Sequence, residues 1–533
     1  MCSVVLQSET QSKPNYSIND LIGEWGLWQQ RSVLFIFLCK LPAAWFMACI
    51  IFTAPFAENG EYHCQQENYT RLGEIDRIDF CRVDVNQTVT IPPQSSHTDQ
   101  CEKFTHHSIF NSLVTQFDLV CSRRNLIAIT QFFHLLGVLC GGILANELLV
   151  FVSPKNVFLI GIISQIICGC LTGLVNNFKL HVFFRCLTAI CCCQMYTAGG
   201  IIFSDICGGK YRKSVCVLFE SFWGLGIILL PIVSLVPAWS WSSIYLAISL
   251  PTVAYILIWF WIPDSVSWLL RHAKLAPAKN NIFYAIQVNK RTSHLPSNLD
   301  SFLQHKAYIY SKEPKTDNWT SLWSTKMQFI LMFALHIAWA VDVTNYNGML
   351  LNIRAFGRKY LIINTIAMGI CELIGVFAAW FIVMNAHKNK FLYSGLFNIV
   401  AGILSFIFPS TLSGIDVAFG MTLAMISKIA TTCSQAVLYT CTAELLPAPK
   451  RNICMFSCVV WARTCLLTAP FICTLTFVHN LFPLAAFGFI EICGGICSCI
   501  VDRIHNTPRA TIDKNSNEVL KNIDNSLVTT THM

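Results

Sequence analysis

Twelve apolar stretches run through this chain of 533 residues, and no other feature constrains its fold as much. They lie at 32–56, 125–145, 155–176, 180–203, 214–236, 242–262, 327–350, 360–384, 391–409, 415–441, 453–477 and 480–501. Each holds about 20 residues or somewhat more, enough for an α-helix to cross a hydrocarbon core of ~30 Å. In such a core the backbone must satisfy its own N–H and C=O groups, which a helix does within a single segment. Only 12% of the residues are charged, against about 25% in a soluble globular chain. The sequence therefore predicts an all-α membrane protein with twelve transmembrane helices. Met1 to Gln30 is polar and lacks an apolar h-region, so no cleavable signal peptide is expected.

A polar stretch at 263–326 divides the spans into two sets of six. The expected organisation is a short N-terminal segment (1–31), a six-helix bundle (32–262), a linker with short helices (263–326), a second six-helix bundle (327–501) and a polar tail (502–533). Lys and Arg set the orientation. Lys210, Arg212 and Lys213 follow the fourth span, Lys388 and Lys390 the eighth, and Lys450 and Arg451 the tenth. The linker adds nine Lys/Arg against four Asp/Glu. All fall on one side, so both termini and the linker are expected in the cytoplasm. The net charge of +8 is thus a topology signal, and nucleic acid is not an expected partner.

That topology places residues 57–124 outside the cell. The loop carries the sequons at Asn68 and Asn86 and four cysteines, Cys64, Cys81, Cys101 and Cys121. An even number of cysteines in an oxidising compartment suggests two disulfides, with three connectivities open. Most of the other 22 cysteines fall in apolar spans and read as small buried hydrophobes. No His/Cys group has zinc-ligand spacing, no Gly-x-x-x-x-Gly-Lys-Ser/Thr loop is present, and no nucleophile–base pair emerges. Neither a metal, a nucleotide, another cofactor nor an enzymatic activity is expected.

Ionisable residues inside a bilayer cost several kcal/mol unless they meet a partner or a wet cavity. The candidates are Lys40, Glu220, Asp342, Glu372, Lys428 and Arg463. Each has two readings, a contact to a polar substrate or an ion pair between helices. Trp223, Trp339 and Tyr346 are the aromatic candidates for packing against a cationic or apolar substrate body.

Short blocks along the chain carry a family resemblance. Pro263-Asp-Ser-Val-Ser-Trp-Leu-Leu270 resembles the Pro-Glu-Ser-Pro-Arg-Trp-Leu block closing the first half of the organic-ion transporters of solute carrier family 22, in the major facilitator superfamily. Glu61-Tyr-His-Cys64 and Gln116-Phe-Asp-Leu-Val-Cys121 resemble that family's loop-opening and loop-closing blocks. Gly209-Lys-Tyr-Arg-Lys213, Leu246-Ala-Ile-Ser-Leu-Pro251 and Ala443-Glu-Leu-Leu-Pro447 with Lys450-Arg-Asn452 are similar to further family blocks. The resemblance extends from Gly23 to Asp502. It implies two pseudo-symmetric six-helix bundles that rock about a central site near the bilayer midplane.

The resemblance also implies roles. Arg463 stands seven residues before Pro470, where the family places a charge-selecting residue: Asp in cation-selective members, Arg in anion and carnitine types. Asp342, with Trp339, Tyr346 and Gly348, matches a helix 7 pattern, and Glu372 a helix 8 glutamate. Asp205, Arg212, Lys428, Glu444 and Arg451 fall where the family keeps gating charges. Departures are equally specific. The superfamily's Asp-Arg-x-Gly-Arg-Arg loop is replaced by Ala145-Asn-Glu-Leu-Leu-Val-Phe-Val-Ser-Pro-Lys155, leaving Asn146 and Glu147 where gating acids and bases are expected. The expected function is a plasma-membrane uniporter or exchanger of small organic ions, zwitterions first, working as a monomer, with an oligomer left open. The alternative is a sensor or interaction protein that keeps the fold without transport.

Overall fold

The computed structural model describes residues 17–55, 62–64, 82–84, 98–100, 104–106, 110–235, 240–295, 298–312, 319–356, 360–386, 388–411, 417–446, 448–477 and 481–506. Ten described helices are long and apolar enough to cross a membrane: α1 (Leu27–Thr53), α2 (Cys121–Phe151), α3 (Pro154–Leu174), α4 (Phe178–Ile206), α5 (Gly209–Ser234), α6 (Trp241–Trp259), α7 (Lys326–Asn352), α8 (Leu361–Asn385), α11 (Lys450–Thr474) and α12 (Phe482–Asn506). Between α8 and α11 run α9 (Lys390–Thr411) and α10 (Val417–Leu445), of 22 and 29 residues. Together they make twelve. The long loop between α1 and α2 contributes two short antiparallel pairs, β1 (Tyr62–Cys64) with β4 (Phe104–His106), and β2 (Arg82–Asp84) with β3 (Thr98–Gln100).

Local sequence explains how the central residues are presented. Pro42 has no N–H to give the Leu38 carbonyl, so α1 is interrupted at Cys39. The freed carbonyl accepts a hydrogen bond from the Tyr255 hydroxyl of α6 at 3.0 Å. The break turns Lys40 towards α5.

Small residues let the helices approach. On α9 and α12, Gly395 faces the Gly495 carbonyl and Gly402 faces that of Gly488, so closely that a Cβ at Gly395 or Gly402 would lie 2.7 Å from the facing oxygen. Between the halves, a Cβ on Gly369 of α8 would lie 3.0 Å from the Gly224 carbonyl of α5. Close backbone approach of this kind replaces hydrophobic driving force inside a membrane.

Each end of the bundle has its own closure. At the linker end, Ser265 caps the short helix Val266–Arg271, and Asp205 of α4 accepts from the Ser265 hydroxyl at 2.9 Å, the Ser267 N–H at 3.0 Å and the Ser267 hydroxyl. The Trp268 indole donates to the Leu149 carbonyl of α2 at 2.7 Å, and His272 Nε2 faces the Val150 carbonyl at 2.9 Å. These side chains occupy carbonyls that the end of α2 leaves free. At the loop end, Arg354 just after α7 donates to the Ala54 carbonyl just after α1 at 3.2 Å, joining the two halves.

Candidate functional site

A cavity of about 1560 Å³ lies between the halves. Glu147, Arg271 and Arg451 are exposed at its linker end, whereas Met47, His134 and Leu135 are buried at the other. The cavity therefore opens on the linker side and is closed on the loop side. Lys40, Tyr196, Trp223, Tyr346, Tyr439 and Arg463 line its middle.

Two cations share this middle region and have different surroundings. Lys40 Nζ reaches both Glu220 carboxylate oxygens, at 2.9 and 3.0 Å. It also stands over the rings of Phe219, Tyr196 and Trp223, at 4.6, 5.0 and 5.5 Å from their centroids. Arg463, partly buried on α11, reaches across to the other half. Its Nη1 donates to the Val138 carbonyl of α2 at 3.1 Å and to Cys193 Sγ of α4 at 3.2 Å, and its Nη2 to the Tyr196 hydroxyl at 3.1 Å. Gly142 on α2 leaves room for the guanidinium, because a Cβ there would collide with Nη1. Among the described residues no carboxylate stands within ion-pair distance of Arg463. A guanidinium matches a carboxylate through two parallel hydrogen bonds, so this cation is poised for an anionic group.

Three of the residues singled out from sequence are set back from the cavity. Asp342 is fully buried within the C-terminal half and accepts from Asn398 Nδ2 at 2.8 Å and the Ser434 hydroxyl at 2.5 Å. Glu372 is fully buried, accepts from the Tyr346 hydroxyl and pairs with Lys428 Nζ at 3.2 Å. Trp339 is buried, donates to Thr442 Oγ1 at 3.0 Å and packs edge-on against Tyr439, with ring centroids 4.5 Å apart. Lys428 also donates to the Tyr346 carbonyl at 3.1 Å. Lys40, Trp223, Tyr346 and Arg463 are brought together on the cavity wall.

The residues expected to gate are split as well. Asn146, Glu147, Asp205, Arg212 and Arg451 line the linker side of the cavity. Arg212 Nε donates to the Cys207 carbonyl at 3.0 Å. Glu444 receives Lys213 from the other half and Lys390 at 3.2 Å. Asn68, Asn86, Cys81 and Cys101 lie outside the described residues, and Cys64 is described in its backbone only.

Sequence reasoning passed over several residues. Tyr196 and Tyr439 are two more aromatics in apolar spans, with nothing in composition to single them out. Arg185 and Glu491 carried a usable signal, since both are ionisable residues inside apolar spans. Glu491 is fully buried and accepts from the Ser427 hydroxyl at 2.5 Å. Among the described residues, no group of three or more His, Cys, Asp or Glu is placed to hold a metal.

Comparison with known proteins decides the family. The model of the Major Facilitator Superfamily matches residues 109–462. The chain belongs to the Major Facilitator Superfamily. Its curated relatives are organic cation and anion transporters of solute carrier family 22 and kin. It is 24% identical over 520 residues to an organic cation transporter-like protein of Drosophila melanogaster, covering 91% of this chain and 89% of that protein. It is 27% identical over 393 residues to solute carrier family 22 member 3 of Mus musculus, covering 72% and 68%. In fold it is similar to the proton:xylose symporter XylE bound to 6-bromo-6-deoxy-D-glucose, with a TM-score of 0.60 at 13% identity over 88% of this chain and 94% of that one. A partially occluded inward-open XylE from E. coli matches with the same TM-score at 12% identity, over 88% and 96%. As a member of this superfamily the chain is a multi-pass membrane transporter, and it is not an enzyme.

Proposed function

We propose that this transporter moves a small organic ion bearing a carboxylate across the plasma membrane by alternating access, as a uniporter or exchanger. The observation that carries this reading is the contrast between the two cations in the cavity. Glu220 is committed to Lys40, whereas Arg463 has neutral partners only among the described residues. The cavity middle therefore has one positive charge in excess. The acids that would best receive a cationic substrate, Asp342 and Glu372, are set back behind its wall. A zwitterion fits if its ammonium rests on the faces of Trp223, Tyr196 and Tyr439. The relatives' names span organic cation and organic anion transporters, which supports an organic ion and leaves the sign to the site.

Uptake of radiolabelled carnitine, benzoate, glutarate and choline by cells expressing the chain tests the reading. Saturable carboxylate uptake exceeding that of choline is expected, and uptake of choline alone would overturn it. A sensor reading draws on Asn146 and on Ser267, which stands where the family block has Arg. Its outcome in the same assay is saturable binding with no accumulation.

Two further outcomes are expected, one at the site and one for the orientation. Gly142→Ala is expected to lower carboxylate uptake about tenfold at normal surface level, because the added methyl displaces a charged hydrogen-bonding group worth roughly 1.5 kcal/mol. Unchanged uptake would show that the guanidinium does not need this position. The proposed orientation, with the 57–124 loop outside and the termini in the cytoplasm, is supported by the disulfide at Cys121, a bond of oxidising compartments. Glycosidase should lower the apparent mass, and joint loss of Asn68 and Asn86 should remove the shift. A shift that survives the double substitution contradicts the orientation.

A further inference from the structure

Arg185 is a buried cation with no carboxylate beside it among the described residues, and it stands on the loop side of the closed cavity. Its residue is 1% exposed. Nη2 donates to Gln131 Oε1 of α2 at 2.7 Å, and Nη1 donates to the Tyr245 hydroxyl of α6 and to Cys49 Sγ of α1 at 3.4 Å. Its Nε has no hydrogen-bond partner. Burying an ionised group without a counter-charge is costly, and native structures retain such groups at functional positions.

The surroundings point the same way. His134 lies one turn after Gln131 on α2, is 2% exposed, lines the buried end of the cavity, and its Nδ1 has no partner. Ala189, one turn after Arg185 on α4, lines the cavity too. Arg185 therefore stands directly behind the seal. Cys193 and Tyr196, which both receive Arg463, follow Arg185 by eight and eleven residues on α4, about 12 and 16 Å at helical rise. The two guanidiniums thus bond to groups two to three turns apart along α4.

We propose that Arg185, with Gln131 and His134, is a separate anion-binding station that serves the loop-open state. It takes the substrate's carboxylate on the loop side of the seal, and Arg463 takes it once the cavity faces the linker side. The proposal rests on the carboxylate reading of the transported ion. It assigns Arg185 to substrate contact in the conformation opposite to the one described here, where the guanidinium is held in reserve by neutral groups. Gln131 is then the residue that keeps the fork aimed without neutralising it.

The neutral partner supplies the test. Gln131→Glu keeps the size and the hydrogen bond but places a carboxylate permanently against Arg185. The full-length protein is reconstituted in vesicles of known orientation, and benzoate, glutarate and carnitine, each radiolabelled, report transport. The probe is 1,3,6-naphthalenetrisulfonate, an anion too highly charged to cross, added to one face at a time. In Gln131→Glu its inhibition constant from the loop side should rise about tenfold, and that from the linker side should stay within about twofold. Arg185→Gln should reproduce the loop-side loss, and Arg185→Lys should recover most of it.

An unchanged loop-side constant in Gln131→Glu, with normal transport, overturns the station. Constants that move in opposite directions on the two faces show that Arg185 sets the conformational balance, which also overturns it. If the wild-type protein accumulates none of the three carboxylates, the proposed function falls and the station falls with it. Should Arg185→Gln fail to reach the membrane, Gln131→Glu still decides, since it adds a counter-charge and gives up only the weak hydrogen bond from Gln131 Nε2 to Met47 Sδ at 3.2 Å.

Discussion

Arg463→Ala should lower carboxylate uptake about a hundredfold while the protein remains at the cell surface. The guanidinium has no acidic partner among the described residues and faces the open cavity. A hydrogen bond to a charged group contributes roughly 1.5–3 kcal/mol, and a factor of ten corresponds to about 1.4 kcal/mol. Losing a two-pronged contact therefore removes about two decades. Arg463→Lys should retain part of the uptake, because the charge remains but the fork geometry is lost. Arg463→Asp should abolish carboxylate uptake and admit simple cations. A purely structural arginine gives a different pattern, with surface biotinylation falling in parallel with uptake. Normal uptake at normal surface level in Arg463→Ala would end the substrate-contact assignment.

The other large effect concerns stability. Lys428 and Glu372 are both fully buried and paired at 3.2 Å inside the C-terminal half. Removing one partner of a buried pair costs about 3–5 kcal/mol, because the remaining charge has lost its counter-charge. Lys428→Met is therefore expected to lose most of the folded protein, seen as a lower unfolding temperature in detergent and reduced surface abundance. The double variant Lys428→Met with Glu372→Gln should recover much of that loss, because the stranded charge is gone and Tyr346 can still hydrogen-bond the amide. Recovery is expected even where transport is not. A double variant whose loss equals the sum of the losses of Lys428→Met and Glu372→Gln would show that the two residues act independently.

The twelve helices were legible because membrane physics leaves little choice: long apolar runs must satisfy their own backbone, and these runs are long. The linker closure was less legible. Asp205 meets the hydroxyls of Ser265, which the family block shares, and of Ser267, which stands where that block has an arginine, so spacing marked the position but not the new chemistry. The rotation of each helix was the hardest part. On α7, Trp339, Asp342 and Tyr346 recur at helical spacing and read as one face. The helix is buried almost all round from Leu331 to Asn352, so periodicity does not say which side meets the cavity. Tyr346 does, while Trp339 turns to Thr442 and Asp342 to Asn398 and Ser434. Arg463 was legible through its position before Pro470. Its seat, made by Gly142, Val138, Cys193 and Tyr196 from the other half, is a long-range feature with no local signature. Arg185 could have been found from sequence by counting charges inside the spans, but that no acidic partner meets it among the described residues is visible only in three dimensions.

Purified full-length protein in vesicles gives the most direct measurement of whether the fold still transports a carboxylate. Labelled benzoate, glutarate and carnitine are followed over time, with and without the same unlabelled compound inside. Saturable accumulation of at least one carboxylate, faster into preloaded vesicles, is the expected result, and Arg463→Ala should lower it about a hundredfold. Saturable binding that never exceeds one equivalent per protein and does not respond to preloading would contradict alternating access and leave the chain as a binding protein in a transporter's fold.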